Sequence, residues 1–283
     1  MKLGIYPGCS LTGSAREYFE SVEALAKFFG IELQQISDWN CCGATAAHNL
    51  NKKLSLALPA RILAAAERDN LHELVVPCAA CYSRLSVTQH ELRHNISLRN
   101  EIQEIIEAKY NASGTILNVI QMINLYFLEN LEKKIVKPLK NKVACYYGCL
   151  LVRPEKVLHF DRVENPQSME KILTLLGATP INWAMKTECC GAGLSVSKTD
   201  VVAKLSAKIL EDAVSRGAEA IIVACPMCHA NLDMRRPEIE KAMGKSCKIP
   251  VLYLTQAIGL AVGIDEKTLG LHRHFIPVDL PKN

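Results

Sequence analysis

The strongest constraint on how this chain can fold is an order of cysteines that occurs twice. The first half carries Tyr6-Pro7-Gly8-Cys9, then Cys41-Cys42-Gly43, then Pro77-Cys78-Ala79-Ala80-Cys81. The second carries Tyr147-Gly148-Cys149, then Cys189-Cys190-Gly191, then Cys225-Pro226-Met227-Cys228. Matching cysteines are separated by 140, 148, 147 and 147 residues, so the repeat is the size of a domain. A fainter echo, Ile116-Leu117-Asn118-Val119-Ile120-Gln121 against Val251-Leu252-Tyr253-Leu254-Thr255-Gln256, extends it beyond the cysteines. Each copy has about 140 residues to fold with, enough for an ordinary core without a disulfide staple. The expected domains are residues 1–135 and 142–283, connected through a charged stretch at 129–141 that holds Glu132, Lys133, Lys134, Lys137 and Lys140.

Local patterns repeat as well. A strand at Leu3 to Tyr6 is followed by a helix for which Ser14 and Glu17 form a capping box. Tyr18, Val22, Leu25 and Phe29 give that helix one apolar face, and Gly30 ends it. Next come a strand at Ile31 to Ile36 and a helix carrying Leu54, Leu58 and Ile62, with Pro59 as an irregularity. A short strand at Leu74 to Val76 follows. In the second half, strands at Lys142 to Tyr146, Ala178 to Trp183 and Ala218 to Val223 alternate with helices at Ser168 to Leu176 and Thr199 to Arg216. Such alternation predicts an α/β fold with a small parallel sheet and flanking helices in each half, and places the cysteines in loops at strand ends.

Twelve cysteines with no export signal point to metal or catalytic uses, because a reducing cytosol keeps thiols reduced. A C-x-x-C pair puts two sulfurs on one turn, and cysteines from other loops close the site. Two adjacent cysteines suit a polynuclear centre better than a single ion, and five repeated sulfurs exceed the four ligands of tetrahedral zinc. The string Cys225-Pro226-Met227-Cys228-His229 matches a c-type haem attachment, but the parallel position after Cys81 is Tyr82. His229 is read instead as a core residue or a partner of the cysteine loop. Zinc bound by the C-x-x-C pairs, in a scaffold without turnover, is the alternative from another class.

These patterns, C-x31-C-C-x35-C-x-x-C and C-x39-C-C-x34-C-x-x-C, resemble the cysteine-rich CCG domains found in the family of the heterodisulfide reductase B subunit, over nearly the whole chain. The resemblance implies two tandem CCG domains, each holding a noncubane [4Fe-4S] cluster on five cysteines. In this sequence the ligands would be Cys9, Cys41, Cys42, Cys78 and Cys81, and Cys149, Cys189, Cys190, Cys225 and Cys228. It further implies reduction of a small-molecule disulfide, in methanogenesis that of coenzyme M and coenzyme B, with one sulfur taken up at each cluster before two thiols leave. Electrons would come from a ferredoxin-like C subunit, with a flavin-containing A subunit upstream. Members of the family also serve succinate-, lactate- or lipoate-sulfur-linked complexes. Cys145 and Cys247, outside the repeat, are read as buried structural thiols, with Cys145 the nearer to an alternative ligand.

Substrate-binding candidates are Arg84, Arg153, Arg235 and His229, with Arg236 also close to a ligand cysteine; the arginines suit anionic groups. His48 is a candidate proton source, and Trp39 and Trp183 precede the two Cys-Cys pairs. A net charge of +4 without a basic stripe argues against nucleic acid. No run of about 18 apolar residues exists to span a bilayer, and no h-region follows Met1, so a cytoplasmic protein is expected. No flavin fingerprint G-x-G-x-x-G follows a strand, which leaves electron supply to partner subunits.

Overall fold

The two halves build the same sheet. In the computed structural model, which describes residues 1–44 and 46–280, the first half runs β1 (Lys2–Ile5), α1 (Gly8–Thr12), α2 (Arg16–Phe28), β2 (Glu32–Gln35), α3 (Ala47–Leu50), α4 (Lys52–Arg68), β3 (Glu73–Val75), α5 (Ala79–His94), α6 (Ile96–Ile106), β4 (Thr115–Leu117), α7 (Val119–Tyr126) and α8 (Leu128–Leu131). The second runs β5 (Lys142–Tyr146), α9 (Ser168–Leu175), β6 (Thr179–Pro180), α10 (Thr199–Ser215), β7 (Ala220–Val223), α11 (Pro226–Leu232), α12 (Arg236–Met243), β8 (Val251–Tyr253) and α13 (Leu254–Ala261). Strand orders are β2-β1-β3-β4 and β6-β5-β7-β8, position for position the same, and every pairing is parallel. Central strands such as β7 are buried throughout, as parallel sheets covered on both faces require.

The fainter echo between the halves has a structural basis. In both copies the last strand leads straight into a helix whose first turn is closed by a glutamine. Gln121 Oε1 accepts from the Asn118 N–H at 3.0 Å, and Gln256 Oε1 from the Tyr253 N–H at 2.9 Å.

Local details differ from the sequence reading in four places. The helix α2 starts after Ala15 with no side-chain cap, because Glu17 is buried and turned to the second half, where its Oε1 accepts from Tyr253 Oη at 3.2 Å. The strand expected at Ala178 to Trp183 shrinks to two residues at the sheet edge, where Pro180 supplies no N–H. The helix α4 runs unbroken through Pro59, capped by Asn51, whose Oδ1 accepts from the Leu54 N–H at 3.1 Å; Leu54 is exposed while Leu56 and Ile62 face the core. The true counterpart of Tyr6 is Tyr146, three residues before Cys149, rather than Tyr147.

The charged stretch lies against the second half. The N–H groups of Val136 and Lys137 both donate to Ala261 O, each at 3.0 Å. The halves also meet directly between α2 and α13, where Ser21 Oγ and Thr255 Oγ1 are 2.7 Å apart and buried.

Candidate metal centres

Each sheet brings its Cys-Cys pair and its C-x-x-C pair together by the same devices, while Cys9 in the first half is exposed. A tyrosine at the end of the first strand reaches the carbonyl just before the Cys-Cys pair: Tyr6 Oη donates to Asn40 O at 2.8 Å, and Tyr146 Oη to Glu188 O at 2.7 Å. A tryptophan leans on each of these rings, Trp39 edge-on to Tyr6 at 5.7 Å and Trp183 beside Tyr146 at 6.3 Å. The strand-end loop carrying Cys149 turns through Gly148, whose φ is +68°; a Cβ there would sit 2.9 Å from Cys228 Sγ. The N–H of the glycine after each pair points at the first sulfur of that pair, Gly43 to Cys41 at 3.5 Å and Gly191 to Cys189 at 3.3 Å.

The C-x-x-C segments open helices. Cys78 is the N-cap of α5 and Cys225 that of α11, with Pro226 in the first helical position, so each pair sits where unpaired N–H groups and the helix dipole favour a thiolate. Sulfurs converge accordingly: Cys42 Sγ lies 3.0 Å from Cys81 Sγ, and Cys190 Sγ 3.8 Å from Cys228 Sγ. The Cys41 thiol lies beside that of Cys42, and the Cys149 thiol beside that of Cys189. The second nest adds Asn231, whose Nδ2 donates to Cys190 O at 3.0 Å and Cys190 Sγ at 3.5 Å. Its position in the first half is held by Arg84.

These contacts split the thiols into donors and acceptors of protons. The neighbouring thiols of Cys41 and then Cys81 hold Cys42 down at about 4, and that of Cys149 holds Cys189 at about 6. Cys190 and Cys225 are lowered, both first by Cys228, while Cys78 and Cys228 are raised, as is Cys81 beside Cys42. The buried thiols of Cys42, Cys78 and Cys81, and of Cys190, Cys225 and Cys228, cannot all ionise together unless a cation neutralises them. A donor set of sulfur alone, with adjacent cysteines facing one nest, fits an iron–sulfur cluster. No disulfide occurs among the described residues.

The nests are unequal in their surroundings. A cavity of about 420 Å³ lies over the second, lined by Cys149, Cys189 and Leu194 there and by Ala44, His48 and Arg84 of the first half. Arg84 alone of the candidate arginines reaches it, with a buried Nε that meets no acceptor among the described residues. Arg153 is spent on Thr187 O at 3.2 Å and Glu164 Oε1 at 2.8 Å, and Arg235 on Ser195 O. Arg236 is buried on the carbonyls of Leu232, Cys247 and Ile249. His229 points away from the cavity: it stacks on Tyr253 at 4.3 Å, its Nε2 is 3.0 Å from Val251 O, and burial pushes it down to about 3. Asp233 and His274 stand near it, but Asp233 is occupied by the N–H groups of Phe275 and Ile276. Cys145 is buried beside Glu170 and Lys186, and burial raises its thiol. Cys247 is buried on the far side of α12.

The residues at 3–86 and 143–233 match the family model of the CCG cysteine-rich domain. The chain is 33% identical over 279 residues to the 8-methylmenaquinol:fumarate reductase membrane anchor subunit of Wolinella succinogenes, covering 97% of each protein. It is 27% identical over 282 residues to the B subunit of the ferredoxin:CoB-CoM heterodisulfide reductase of Methanosarcina mazei, covering 97% of this chain and 94% of that one. An Archaeoglobus profundus protein described as like the heterodisulfide reductase B subunit is 26% identical, with 96% and 94% covered. The fold is shared with a hypothetical protein from Helicobacter pylori at a TM-score of 0.80 and 13% identity; the chain is covered to 98% and spans 52% of that structure.

Proposed function

Because the chain belongs to the CCG cysteine-rich family that includes the heterodisulfide reductase B subunit, we propose that it is the cluster-carrying subunit of a multi-subunit oxidoreductase, with an iron–sulfur cluster in each nest. The observation that carries this is the pair of cysteine nests set side by side, the carbonyls just before Cys78 of one and Cys225 of the other facing a single Tyr18 hydroxyl. The noncubane [4Fe-4S] type, on the ten repeated cysteines, is part of the proposal, as are the domain limits 1–135 and 142–283. Bound there, such clusters supply one-electron storage and transfer. The protein's own part is to hold the thiolates at helix N-termini, to keep water from the inner sulfurs, and to receive a substrate in the cavity beside Cys149 and Cys189.

Two substrate readings follow. A disulfide needs two electrons, which two adjacent one-electron sites match, and a ferredoxin-like C subunit with a flavin-containing A subunit would deliver them. A heterodisulfide with two anionic ends needs several cationic partners, yet among the described residues Arg84 is the one guanidinium or ammonium group at the cavity. The remaining lining includes Ala44, Leu150, Leu194, Leu205 and Met227. This apolar lining favours the second reading, a subunit that passes electrons in a quinol:fumarate or succinate-linked complex, the kind for which the Wolinella relative is named. Among the described residues no helix is long and apolar enough to cross a membrane, so this reading assigns the chain no spanning role.

The test is the iron, sulfide and zinc content of anaerobically purified protein, with EPR after oxidation in the presence of thiols or of a menaquinol analogue. About eight iron per chain supports the two-cluster reading. A thiol-dependent signal selects the disulfide, a quinol-dependent one the second reading. Zinc without iron would leave a scaffold.

A further inference from the structure

Tyr18 belongs to neither nest, yet its hydroxyl lies between them. The side chain is fully buried on α2, and its Oη is 3.3 Å from Ala224 O and 3.5 Å from Pro77 O. Those are the carbonyls immediately before Cys225 and Cys78, the cysteines that open the C-x-x-C helices of the two halves. A phenol has one proton to give, and both distances exceed those of an unshared O–H···O bond, as a three-centre bond requires. The ring is fixed from below: Tyr253 stacks on it at 4.0 Å with 3° between planes, and His229 stacks on Tyr253 in turn. Tyr253 is held separately, by its own hydrogen bond to Glu17.

From this arrangement, and resting on the cluster reading, we infer that Tyr18 is a positioning residue that couples the two metal centres. It ties the two C-x-x-C loops to one hydroxyl, so that the spacing of Cys78 and Cys225 and the field along both loops are set together. A carbonyl that accepts the Tyr18 proton is held toward α2, which fixes the peptide leading into the adjacent cysteine. Sharing the proton balances this effect between the nests. Electron sharing between the two centres then depends on a group that touches neither metal nor substrate.

The variant Tyr18→Phe keeps the ring and its stack and removes only the hydroxyl; Tyr253→Phe removes the neighbouring hydroxyl and leaves the tie intact. With each protein purified anaerobically, iron content, thermal stability and a redox titration followed by EPR are compared with wild type. The expected result is full iron in all three. Tyr18→Phe alone should change the spin coupling between the centres and redistribute the electron between them by about two- to tenfold, the worth of one neutral hydrogen bond. Unchanged coupling and potentials in Tyr18→Phe, with only a lower melting temperature, would overturn the inference and leave Tyr18 a packing residue. Equal changes in both variants, or loss of iron in Tyr18→Phe, would overturn it too, in favour of a general role in assembly. Wild-type protein without iron would remove the cluster reading itself, and this inference with it.

Discussion

Cys78 and Cys225 stand 147 residues apart in the chain, yet the carbonyls just before them, Pro77 O and Ala224 O, face the same Tyr18 Oη at 3.5 and 3.3 Å. The nests therefore have a common wall, and a change in one reaches the other. In Cys225→Ser the iron content should fall by about half, the share of one of two equal clusters, and the signal of the remaining centre should change shape. Iron analysis with EPR checks both; full iron with an unaltered spectrum would remove Cys225 from the ligand set.

Gly148 separates a steric demand from a conformational one. Alanine at this position must adopt a positive φ and place its Cβ 2.9 Å from Cys228 Sγ. Gly30, with φ +74°, has nothing within 4 Å of its would-be Cβ. Both substitutions carry the backbone penalty of about 1 kcal/mol, so Gly30→Ala should lose that stability and keep its iron. Gly148→Ala should lose metal from the second nest. Iron counts beside melting temperatures distinguish the two effects.

Much of this was legible in the sequence because the features are periodic. The cysteine repeat located both nests, and the alternation of strand and helix gave the parallel sheets. What escaped depends on groups far apart in the chain. Glu17 reads as a capping residue until Tyr253, 236 positions later, is seen to bind it. Tyr6 and Tyr146 were visible as letters, but their bonds to Asn40 O and Glu188 O depend on the turn between strand and Cys-Cys pair. Of the four arginines close to the repeated cysteines, only folding shows which face carbonyls and which is left toward the cavity. Cys145 precedes Cys149 by four residues, yet strand geometry turns it to Glu170 and Lys186.

Lys186 and Glu170 form a buried pair at 2.6 Å, with Tyr147 Oη donating to Glu170 Oε2 at 2.6 Å. The carbonyl of Lys186 meanwhile accepts from the N–H groups of Tyr147 and Gly148, fastening the loop that carries Cys149. Lys186→Met would leave a carboxylate buried without its cation, so unfolding in denaturant should show a loss of about 3–5 kcal/mol. The double variant Lys186→Met/Glu170→Leu should recover part of it, because no charge is then stranded. If the added Glu170→Leu brings no recovery, the cost lies in packing instead.

Asp161 fastens the start of α9 from outside the helix, its Oδ2 accepting from the N–H groups of Gln167 at 2.9 Å and Ser168 at 2.8 Å. Burial works against its ionisation, but the bonds from Ser168, Arg162 and Gln167 prevail and hold it below the usual carboxylate range. A carboxyl lowered on folding adds stability above its unfolded value, and that stability is lost as pH falls through the folded one. Asp161→Asn should therefore melt below wild type at neutral pH, and the gap should narrow below about pH 4. Melting curves across the acid range check the sign; a gap that widens on acidification would refute it.

Arg84 is the residue on which the substrate readings divide. It occupies the position that Asn231 fills in the second half, but where Asn231 donates to Cys190, Arg84 lines the cavity with a buried Nε that lacks an acceptor among the described residues. An unpaired guanidinium N–H in an apolar wall is costly unless an acceptor arrives with the ligand. Arg84→Ala should leave the iron content unchanged, since no nest sulfur depends on it. An acceptor oxygen or anionic group on the ligand should then bind about tenfold more weakly, the scale of one charge-assisted hydrogen bond. Titrating the EPR signal with a menaquinol analogue and with an anionic thiol measures this directly. Whichever titration shifts in Arg84→Ala identifies the ligand that uses the cavity, and if neither shifts the arginine is no part of recognition.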